Sequence, residues 1–361
     1  MNNRLLFFVI LLITVAIPVG KAQTIVTIKG DQFLINNKLT YPGRYWKGNK
    51  IEGLLFNSRM VQGIFDDENP ETVKNWAYSD TKRWDPERNT DEFISNMKGW
   101  RDCGLLSFTI NLQGGSPQGY SSTQPWDNTA FKEDGSLKVE YMLRLEKILN
   151  EADKLGMVPI VGLFYFGQDE RLRDEAAVKN AVNNAVDWLS EKKYKNILIE
   201  INNECNVNKY DHEILKPQRV HELIEMVKQN SRDGRRFYVG TSYGGKFIPL
   251  PNVVRVSDFI LIHGNGESNP DNILAMVNKT REVEGYTPKP IMFNEDDHFG
   301  FDKEWNNFTA AVKGYASWGY FDYRMKDEAF ENGYQSVPVD WGTNSDRKKS
   351  YFRLLKDITG Y

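Results

Sequence analysis

Short apolar runs alternate with amphipathic segments along most of the 361-residue chain. A strand buried on both faces is a nearly continuous apolar run, whereas a surface helix repeats its apolar residues every three or four positions. The alternation predicts a strand followed by a helix, repeated eight times, as in a (β/α)8 barrel. The predicted strands are GLLFN (53–57), LLSFTIN (105–111), VPIVGLF (158–164), NILIEIN (196–202), RFYVGT (236–241), FILIH (259–263), PIMFN (290–294) and GYFDY (319–323).

The amphipathic segments are typical of helices, because several carry acidic residues early, basic residues late and a closing glycine. The segment after the fifth strand, KFIPLPNVVRV (246–256), is short and broken by prolines, which disfavours a helix there. An open doubly wound sheet is the alternative architecture, but no G-x-G-x-x-G follows the first strand, which disfavours its dinucleotide-binding form. The predicted helices cover 91–103, 140–156, 174–193, 217–231, 269–285, 303–317 and 344–360.

The connections between these elements differ in length. Ahead of the first barrel strand, TIVTIKGDQFLINNKLTY (24–41) alternates around an Asn-Asn pair and predicts a short β-hairpin. Long loops follow the first and second strands, at 58–90 and 112–137, and a third spans 326–345. Barrel enzymes build their active sites from loops at the carboxyl ends of the strands. Aromatic residues that are candidates to line a cleft in these loops are Trp76, Trp84, Trp126, Tyr334 and Trp341.

The first residues have the layout of a signal peptide. Arg4 precedes an apolar stretch from Leu5 to Val19, and small residues stand at Gly20 and Ala22. About 15 apolar residues fall short of the roughly 18 to 20 that span a bilayer. We therefore expect residues 1–22 to be a signal peptide cleaved near Ala22. We expect residues 23–361 to form one barrel domain that is periplasmic or secreted and does not insert into a membrane.

Charge, aromatic content and the positions of the cysteines limit the classes of partner and the covalent links that we expect. The formal net charge is −3 with acids and bases interspersed, which gives no reason to expect nucleic acid as a partner. Aromatic residues make up 13% of the chain, and such rings offer apolar faces to sugars as well as to a core. Cys103 and Cys205 are predicted at opposite ends of the barrel, too far apart for a disulfide, so both should be free thiols. A monomer is expected.

Two strands end in the same signature. The fourth runs into Asn203 and Glu204, and the seventh runs into Asn294 and Glu295. In a closed barrel both ends face one central cavity, so the two carboxyl groups can approach each other. Two carboxyl groups across a sugar bond are the minimum for glycoside hydrolysis: one protonates the leaving oxygen, and the other attacks the anomeric carbon or activates water.

This combination resembles the clan A glycoside hydrolases, the retaining barrel enzymes that include family 5 cellulases, mannanases and β-galactosidases. The hairpin sequence FLINNK (33–38) and the aromatic eighth strand with Trp318 are similar to members of that clan. The resemblance implies cleavage of a β-linked glycan or glycoside with retention. We expect an oligo- or polysaccharide substrate and no cofactor, and no metal because no second histidine stands at ligand spacing. It implies Glu204 as the acid/base, Glu295 as the nucleophile, and Asn203 as a hydrogen-bond donor to the sugar 2-hydroxyl.

Further side chains are expected around this pair. His263, which closes the sixth strand, matches the aromatic or histidine position that adjoins the nucleophile in the clan. Arg59, after the first strand, is expected to pair with the nucleophile and keep it ionised, although clan members more often place that arginine on another strand. The other predicted substrate-binding residues at strand ends are Asn111, Tyr165, Tyr243 and Trp318.

Three alternatives stay open from the sequence. Glu200, four residues before Glu204, becomes the rival if the register of the fourth strand is different. Asp296, Asp297 and His298 are candidate metal ligands, which would make the protein a metal-dependent hydrolase. A barrel with the same cleft could also bind carbohydrate without turnover, but the presence of both glutamates favours an enzyme.

Overall fold

The computed structural model describes residues 23–232 and 234–361, so the predicted signal peptide at 1–22 lies outside the described residues. Within these ranges, eight parallel strands form the centre of the fold. They are β1 Asn57–Ser58, β2 Ser107–Asn111, β3 Val158–Phe164, β4 Leu198–Asn202, β5 Tyr238–Gly240 with its continuation Ser242–Tyr243, β6 Ile260–His263, β7 Ile291–Glu295 and β8 Gly319–Tyr320.

The eight strands close into a ring. Parallel pairing links β2 through β5 in order, the continuation of β5 to β6 and β7, and β8 to β1. Isolated bridges hold the other two seams. Arg59 pairs with Thr109 between β1 and β2, and Met292 with Ser317 and Asp296 with Tyr320 between β7 and β8. The predicted (β/α)8 barrel is therefore confirmed.

A helix follows each strand and packs its apolar residues on the outside of the barrel. Side-chain caps define several starts: Asp174 accepts from the Ala177 amide, and Ser345 accepts from the Lys348 amide. The proline-broken segment does form a helix, because Pro251 occupies the first turn, where its missing N–H costs nothing. The helices are α1 Pro86–Asp102, α2 Val139–Leu155, α3 Glu175–Glu191, α4 Val220–Gln229, α5 Pro251–Val256, α6 Pro270–Glu282, α7 Asn307–Lys313 and α8 Asp346–Thr359.

Among the described residues, no helix is long and apolar enough to cross a bilayer.

The predicted hairpin is present and is extended by one strand. Val26–Lys29 pairs antiparallel with Gln32–Ile35, which in turn pairs with Lys38–Leu39. Asn36 and Asn37 connect the last two strands with φ values of 52° and 62°. A two-residue type I′ turn requires positive φ at both central positions, and asparagine tolerates it.

The hairpin covers the amino-terminal ends of the barrel strands. Phe33 is fully buried, and its ring lies 6.3 Å from that of Phe259, just before β6. Cys103 lies at this same end, between α1 and β2, whereas Cys205 follows β4 at the opposite end. Both are free thiols, as predicted.

The first barrel strand differs most from its prediction. The apolar run 53–57 predicts a strand, but regular pairing begins only at Asn57. Gly53 has a φ of 90°, and the Leu55 amide donates to the Ser317 hydroxyl at 2.8 Å instead of to a neighbouring strand. A second small hairpin, Tyr45–Trp46 with Asn49–Lys50, has no counterpart in the prediction.

Candidate active site

The ends of β4 and β7 bring Glu204 and Glu295 together at the mouth of the barrel. Glu295 is the last residue of β7, and Glu204 follows β4 by two residues in a left-handed backbone conformation with φ of 50°. The Glu204 amide donates to the Ser242 hydroxyl at 2.9 Å, which holds this turn. One carboxylate oxygen of each glutamate lies within 4.8 Å of the other.

His263 lies between the two carboxyl groups. Its Nδ1 is 3.0 Å from Glu204 Oε1 and 3.7 Å from Glu295 Oε2, and the ring is fully buried. Burial disfavours the imidazolium, but the charge of Glu295 and the hydrogen bond to Glu204 raise the pKa of His263 above its ordinary value. The imidazolium form of His263 is therefore stabilised by both carboxyl groups.

Arg59 and Asn265 contact Glu295 from its other sides. Arg59 Nε donates to Glu295 Oε2 at 2.5 Å, and its Nη2 donates to Asn203 Oδ1 at 2.7 Å. The Asn265 amide donates to Glu295 Oε1, also at 2.5 Å. Hydrogen bonds on both oxygens, one of them from a guanidinium, stabilise a carboxylate as the anion. The pairing of Arg59 with Glu295 is the one expected from the sequence.

Glu200 lies beneath Arg59, inside the barrel. It is fully buried, its Oε2 is 3.6 Å from Arg59 Nη1, and its Oε1 accepts from Asn294 Nδ2 at 3.2 Å. Arg59 is bound to Glu200 on one side and to Glu295 on the other. This position makes Glu200 a support for the arginine and takes it out of direct reach of a substrate.

The two carboxyl groups at the mouth titrate as a pair because they lie so close. Burial alone would raise the pKa of Glu204, but the hydrogen bond and charge of His263 hold it below its ordinary value. Burial raises the pKa of Glu295 and outweighs the opposing charges of Arg59 and His263. With these contacts alone, the shared proton favours Glu295.

Asn203 and Tyr165 border the pair. Asn203 is nearly buried, and its Oδ1 is engaged by the arginine, so its amide nitrogen is the group that can donate. Tyr165 follows β3. Burial, and then the charges of Glu295 and Glu204, raise the pKa of Tyr165, so its hydroxyl stays protonated and can donate a hydrogen bond.

Two residues expected to bind substrate lie in different places. Asn111 pairs in register with Gly162, which pairs with Glu200, so the Asn111 side chain lies inside the barrel at the level of Glu200, where a Cβ on Gly162 would lie 2.2 Å from its Oδ1. The Tyr243 hydroxyl accepts from the Leu250 amide at 3.2 Å. The end of a strand carries alternate side chains to opposite faces, so a residue near the mouth does not have to point into it.

Trp318 also departs from its predicted place in the wall of the cleft. Its indole is fully buried, stacks on Phe308 of α7 at 4.8 Å, and donates to Asp296 Oδ2 at 3.0 Å. It precedes β8 and faces the helix layer, so its ring packs the core and is closed to a sugar.

The tryptophans of the long loops pack the loops themselves. Trp76 and Trp126 are 2% and 3% exposed and meet edge to face at 5.8 Å. The Trp76 indole donates to Asp67 Oδ2 at 2.7 Å, and Trp84 meets Phe65 edge to face at 5.3 Å. These contacts fix the first two loops in place.

Asp296, Asp297 and His298 form an ion-paired cluster next to Glu295. His298 Nδ1 is 3.1 Å from Asp296 Oδ1 and 3.0 Å from Asp297 Oδ1. These hydrogen bonds raise the pKa of His298 to about 10. The three residues offer ligand atoms within 4.8 Å of one another. An imidazolium carries a proton on both nitrogens, so a metal ion would have to displace a well-held proton to bind here.

Sequence reasoning missed two residues that contact the site. Asn265 had the same signal as the others, a polar side chain just past a strand, in HGNG after β6. Tyr120 lies well inside the loop after β2, yet its hydroxyl donates to Asp297 Oδ2 at 2.9 Å. A contact between two loops leaves no local pattern, so the sequence could not have revealed it.

Comparison of the sequence with family models and with curated proteins finds no match. Comparison of the fold does. An endo-1,4-β-mannanase from Rhizomucor miehei is similar over 93% of this chain and 99% of its own, with a TM-score of 0.57 and 11% identity. A β-glycosidase from Pyrococcus horikoshii is similar over 86% of this chain and 95% of its own, with a TM-score of 0.51 and 12% identity.

A third similar structure belongs to a larger protein. It is a Bacteroides vulgatus protein whose assignment as a glycoside hydrolase is itself inferred, with a TM-score of 0.55 and 11% identity. The similarity covers 92% of this chain but only 61% of that one. The chain thus has the barrel fold found in clan A glycoside hydrolases, and its chemistry has to be argued from its own residues.

Proposed function

We propose that this chain is a glycoside hydrolase that cleaves a β-linked glycan or glycoside with retention of configuration. The observation that carries the proposal is the approach of Glu204 and Glu295 to within 4.8 Å between carboxylate oxygens. Retaining glycosidases hold these groups about 5 to 5.5 Å apart, whereas inverting enzymes need about 6.5 to 9.5 Å to admit a water molecule. The short separation supports direct attack by one carboxylate.

The proposed reaction has two steps. Glu295 attacks the anomeric carbon and forms a glycosyl ester, while Glu204 gives its proton to the departing glycosidic oxygen. Glu204, now ionised, takes a proton from a water molecule, whose oxygen attacks the same carbon and releases Glu295. Two displacements at one carbon leave its configuration unchanged. In this proposal, Asn203 and Tyr165 donate hydrogen bonds to the bound sugar.

The mechanism needs the proton on Glu204 once a sugar is bound. The Glu204 side chain is 15% exposed, whereas that of Glu295 is 6% exposed. A sugar over the mouth removes the remaining water from Glu204, and loss of water raises the pKa of a carboxyl group. Glu295 is already dry and keeps Arg59 and Asn265 as donors to its anion. Substrate binding therefore moves the shared proton toward Glu204.

Azide rescue tests the two roles separately. Glu204→Ala should lower hydrolysis of glycosides with alkyl leaving groups by about 10²- to 10⁴-fold, because these need an acid. It should spare 2,4-dinitrophenyl β-glycosides, whose leaving group needs no proton, and added azide should then yield a β-glycosyl azide. Glu295→Gly should lose activity on both substrates and yield an α-glycosyl azide, because azide enters from the face that the nucleophile used.

Glu304→Ala is the matched control, since that side chain is 84% exposed and should keep the parental rate. If Glu204→Ala gave the α-glycosyl azide and Glu295→Gly gave the β-glycosyl azide, Glu204 would be the nucleophile and Glu295 the acid/base. Unchanged hydrolysis by folded Glu204 and Glu295 variants would overturn the assignment. A wild-type protein that binds oligosaccharides without turning them over would be a carbohydrate-binding barrel instead.

We also propose that residues 1–22 direct export and that residues 23–361 act as a single-domain monomer. Support comes from Arg4, the apolar stretch 5–19 and the small residue Ala22. Expression in a bacterial host should yield a periplasmic or secreted protein that begins at Gln23 by N-terminal sequencing and sediments with the mass of one chain. Retention of Met1 would contradict export, and a dimeric mass would contradict the monomer.

A further inference from the structure

The fold leaves open whether the enzyme cuts inside a glycan or at its end. The similar structures include an endo-acting mannanase and a β-glycosidase, so both kinds of protein occur on this barrel. The loops around Glu204 and Glu295 decide the question, because they determine on which side a glycan can leave the cleft.

One side of the mouth carries three aromatic residues, Tyr120, Phe321 and Tyr323, which we call the aromatic wall. The Tyr120 ring meets Phe321 at 5.8 Å and Tyr323 at 5.1 Å, edge to face in both cases. Gly119 has a φ of 96°, and a Cβ there would lie 2.5 Å from the Tyr323 ring. The loop after β2 and the chain after β8 are therefore in direct contact.

The same two segments are fastened by hydrogen bonds behind the aromatic wall. The Val337 amide donates to the Pro117 carbonyl at 2.8 Å. Gln335, which is buried, donates from its side chain to the Ser116 carbonyl at 2.9 Å. Both bonds join the two segments a few residues before Tyr120 in the chain.

The aromatic wall reaches across to the nucleophile side. The Tyr120 hydroxyl donates to Asp297 Oδ2 at 2.9 Å, and Asp297 Oδ1 accepts from the Gly266 amide at 3.1 Å. Burial of the hydroxyl, and then the charges of Glu295 and Asp297, raise the pKa of Tyr120. A continuous line of contacts therefore runs from the loop after β2, past the nucleophile, to the loop after β6.

This line of contacts crosses the mouth close to the nucleophile, because Asp297 stands two residues after Glu295. The Tyr120 ring is 55% exposed and is available to stack on a sugar bound there.

The Glu204 side of the mouth is built differently. The loop after β5 passes Glu204 as Gly244-Gly245, and a Cβ on Gly244 would lie 3.3 Å from the Glu204 carboxyl carbon. Phe247 follows, is 59% exposed, and is held by a hydrogen bond from its amide to the Gly244 carbonyl at 3.1 Å. We call this edge, which has no side chains at Gly244 and Gly245, the open side.

The chemistry fixes which part of the substrate meets which side. Glu204 protonates the leaving oxygen, so the leaving group lies on the open side, and the sugar that bonds to Glu295 faces the aromatic wall. We propose that the enzyme removes a single terminal sugar from the non-reducing end of a β-linked oligosaccharide or glycoside, with Tyr120 as the residue that sets this specificity. The inference rests on the proposed function, since it takes the roles of both glutamates from it.

The first test uses the full chain and its product pattern. A panel of 4-nitrophenyl β-glycosides of glucose, mannose, galactose and xylose identifies the accepted sugar. A β-linked tetrasaccharide of that sugar, labelled at its reducing end, is then followed at early times. The labelled trisaccharide should appear first and account for nearly all of the early product. Early labelled mono- or disaccharide would overturn terminal cutting and leave the glycosidase proposal intact, whereas no hydrolysis of any panel member or glycan would count against both.

The second test uses Tyr120 variants on the same tetrasaccharide. Tyr120→Ala removes the wall at its tip and should let labelled di- and monosaccharide appear early. Tyr120→Phe keeps the ring and loses only the bond to Asp297, so it should keep the trisaccharide pattern with a raised KM. Tyr45→Ala is the control, because Tyr45 is 60% exposed on a small hairpin far along the chain. A parental product pattern from folded Tyr120→Ala would overturn the role of Tyr120.

Discussion

At the residue scale, Arg59 contacts two buried glutamates, Glu200 and Glu295, and this shared contact affects the pKa of Glu295. Its guanidinium donates to Glu295 at 2.5 Å and lies 3.6 Å from Glu200. A buried charge is tolerated only when it is paired, and here one cation serves a carboxylate above and another below. Glu200, the rival candidate in the sequence, is thus in contact with the arginine that pairs with Glu295, the proposed nucleophile.

Glu200→Gln should shift the pH profile without abolishing activity. Arg59 lowers the pKa of Glu295, and loss of the charge on Glu200 leaves that effect to Glu295 alone. The pKa of Glu295 should therefore fall. The acid limb of kcat, which reports ionisation of the proposed nucleophile in the enzyme–substrate complex, should move to lower pH in a titration on a 4-nitrophenyl glycoside.

Glu304→Gln provides the control for that titration, because an exposed glutamate should leave the profile in place. If Glu200 were itself the catalytic acid, Glu200→Gln would lower the rate by about 10²- to 10⁴-fold and remove the alkaline limb. A shift of the acid limb to higher pH would contradict the sharing of Arg59.

At the scale of elements, the sequence indicates the position of the mouth more clearly for some strands than for others. β4 and β7 are buried on both faces, so the change from apolar to polar residues marks the mouth clearly. β8 has only two residues with regular pairing, and its neighbours Trp318 and Phe321 are aromatic on both sides. Aromatic residues suit a core and a sugar site equally well, so the sequence could not place Trp318 correctly.

Trp318→Phe should lower stability and leave catalysis nearly unchanged. The substitution keeps the stacking on Phe308 but removes the N–H that Asp296 accepts. A buried acceptor that loses one partner costs about 1 to 3 kcal/mol. Urea unfolding should show this loss, with kcat/KM within a few fold of the parent. If KM rose while the free energy of unfolding stayed unchanged, Trp318 would line the cleft, and its assignment to the core would be wrong.

At the scale of the whole molecule, the residues expected to stabilise the fold and those proposed to carry out the reaction lie at opposite ends of the barrel. The hairpin with Phe33 covers the amino-terminal ends of the strands, while the carboxylate pair lies at the carboxyl ends. Barrel enzymes in general keep function at the carboxyl face, where loops can vary without disturbing the packed interior. Changes at the hairpin end should therefore be felt in unfolding and little in turnover.

Phe33→Ala tests that separation. Phe33 is fully buried against Phe259, and truncation of a buried phenylalanine costs about 3 to 5 kcal/mol. The thermal midpoint should fall while kcat and KM, measured well below it, stay near the parental values. Phe247→Ala removes an exposed ring from the loop that passes Glu204; it is the contrasting variant and should raise KM with little change in midpoint. The reverse pattern would contradict the division.

The sequence by itself determined the barrel, the two free thiols and the pairing of Asn-Glu endings on β4 and β7. These follow from local periodicity and from the rule that parallel strands carry their carboxyl ends to one face. Only the tertiary structure decided that Glu200 shares Arg59 with Glu295, that Asn265 donates a hydrogen bond to Glu295, and that Tyr120 crosses the mouth to Asp297. Such contacts join residues far apart in the chain, and a one-dimensional pattern records how each segment folds but not which distant loop it meets.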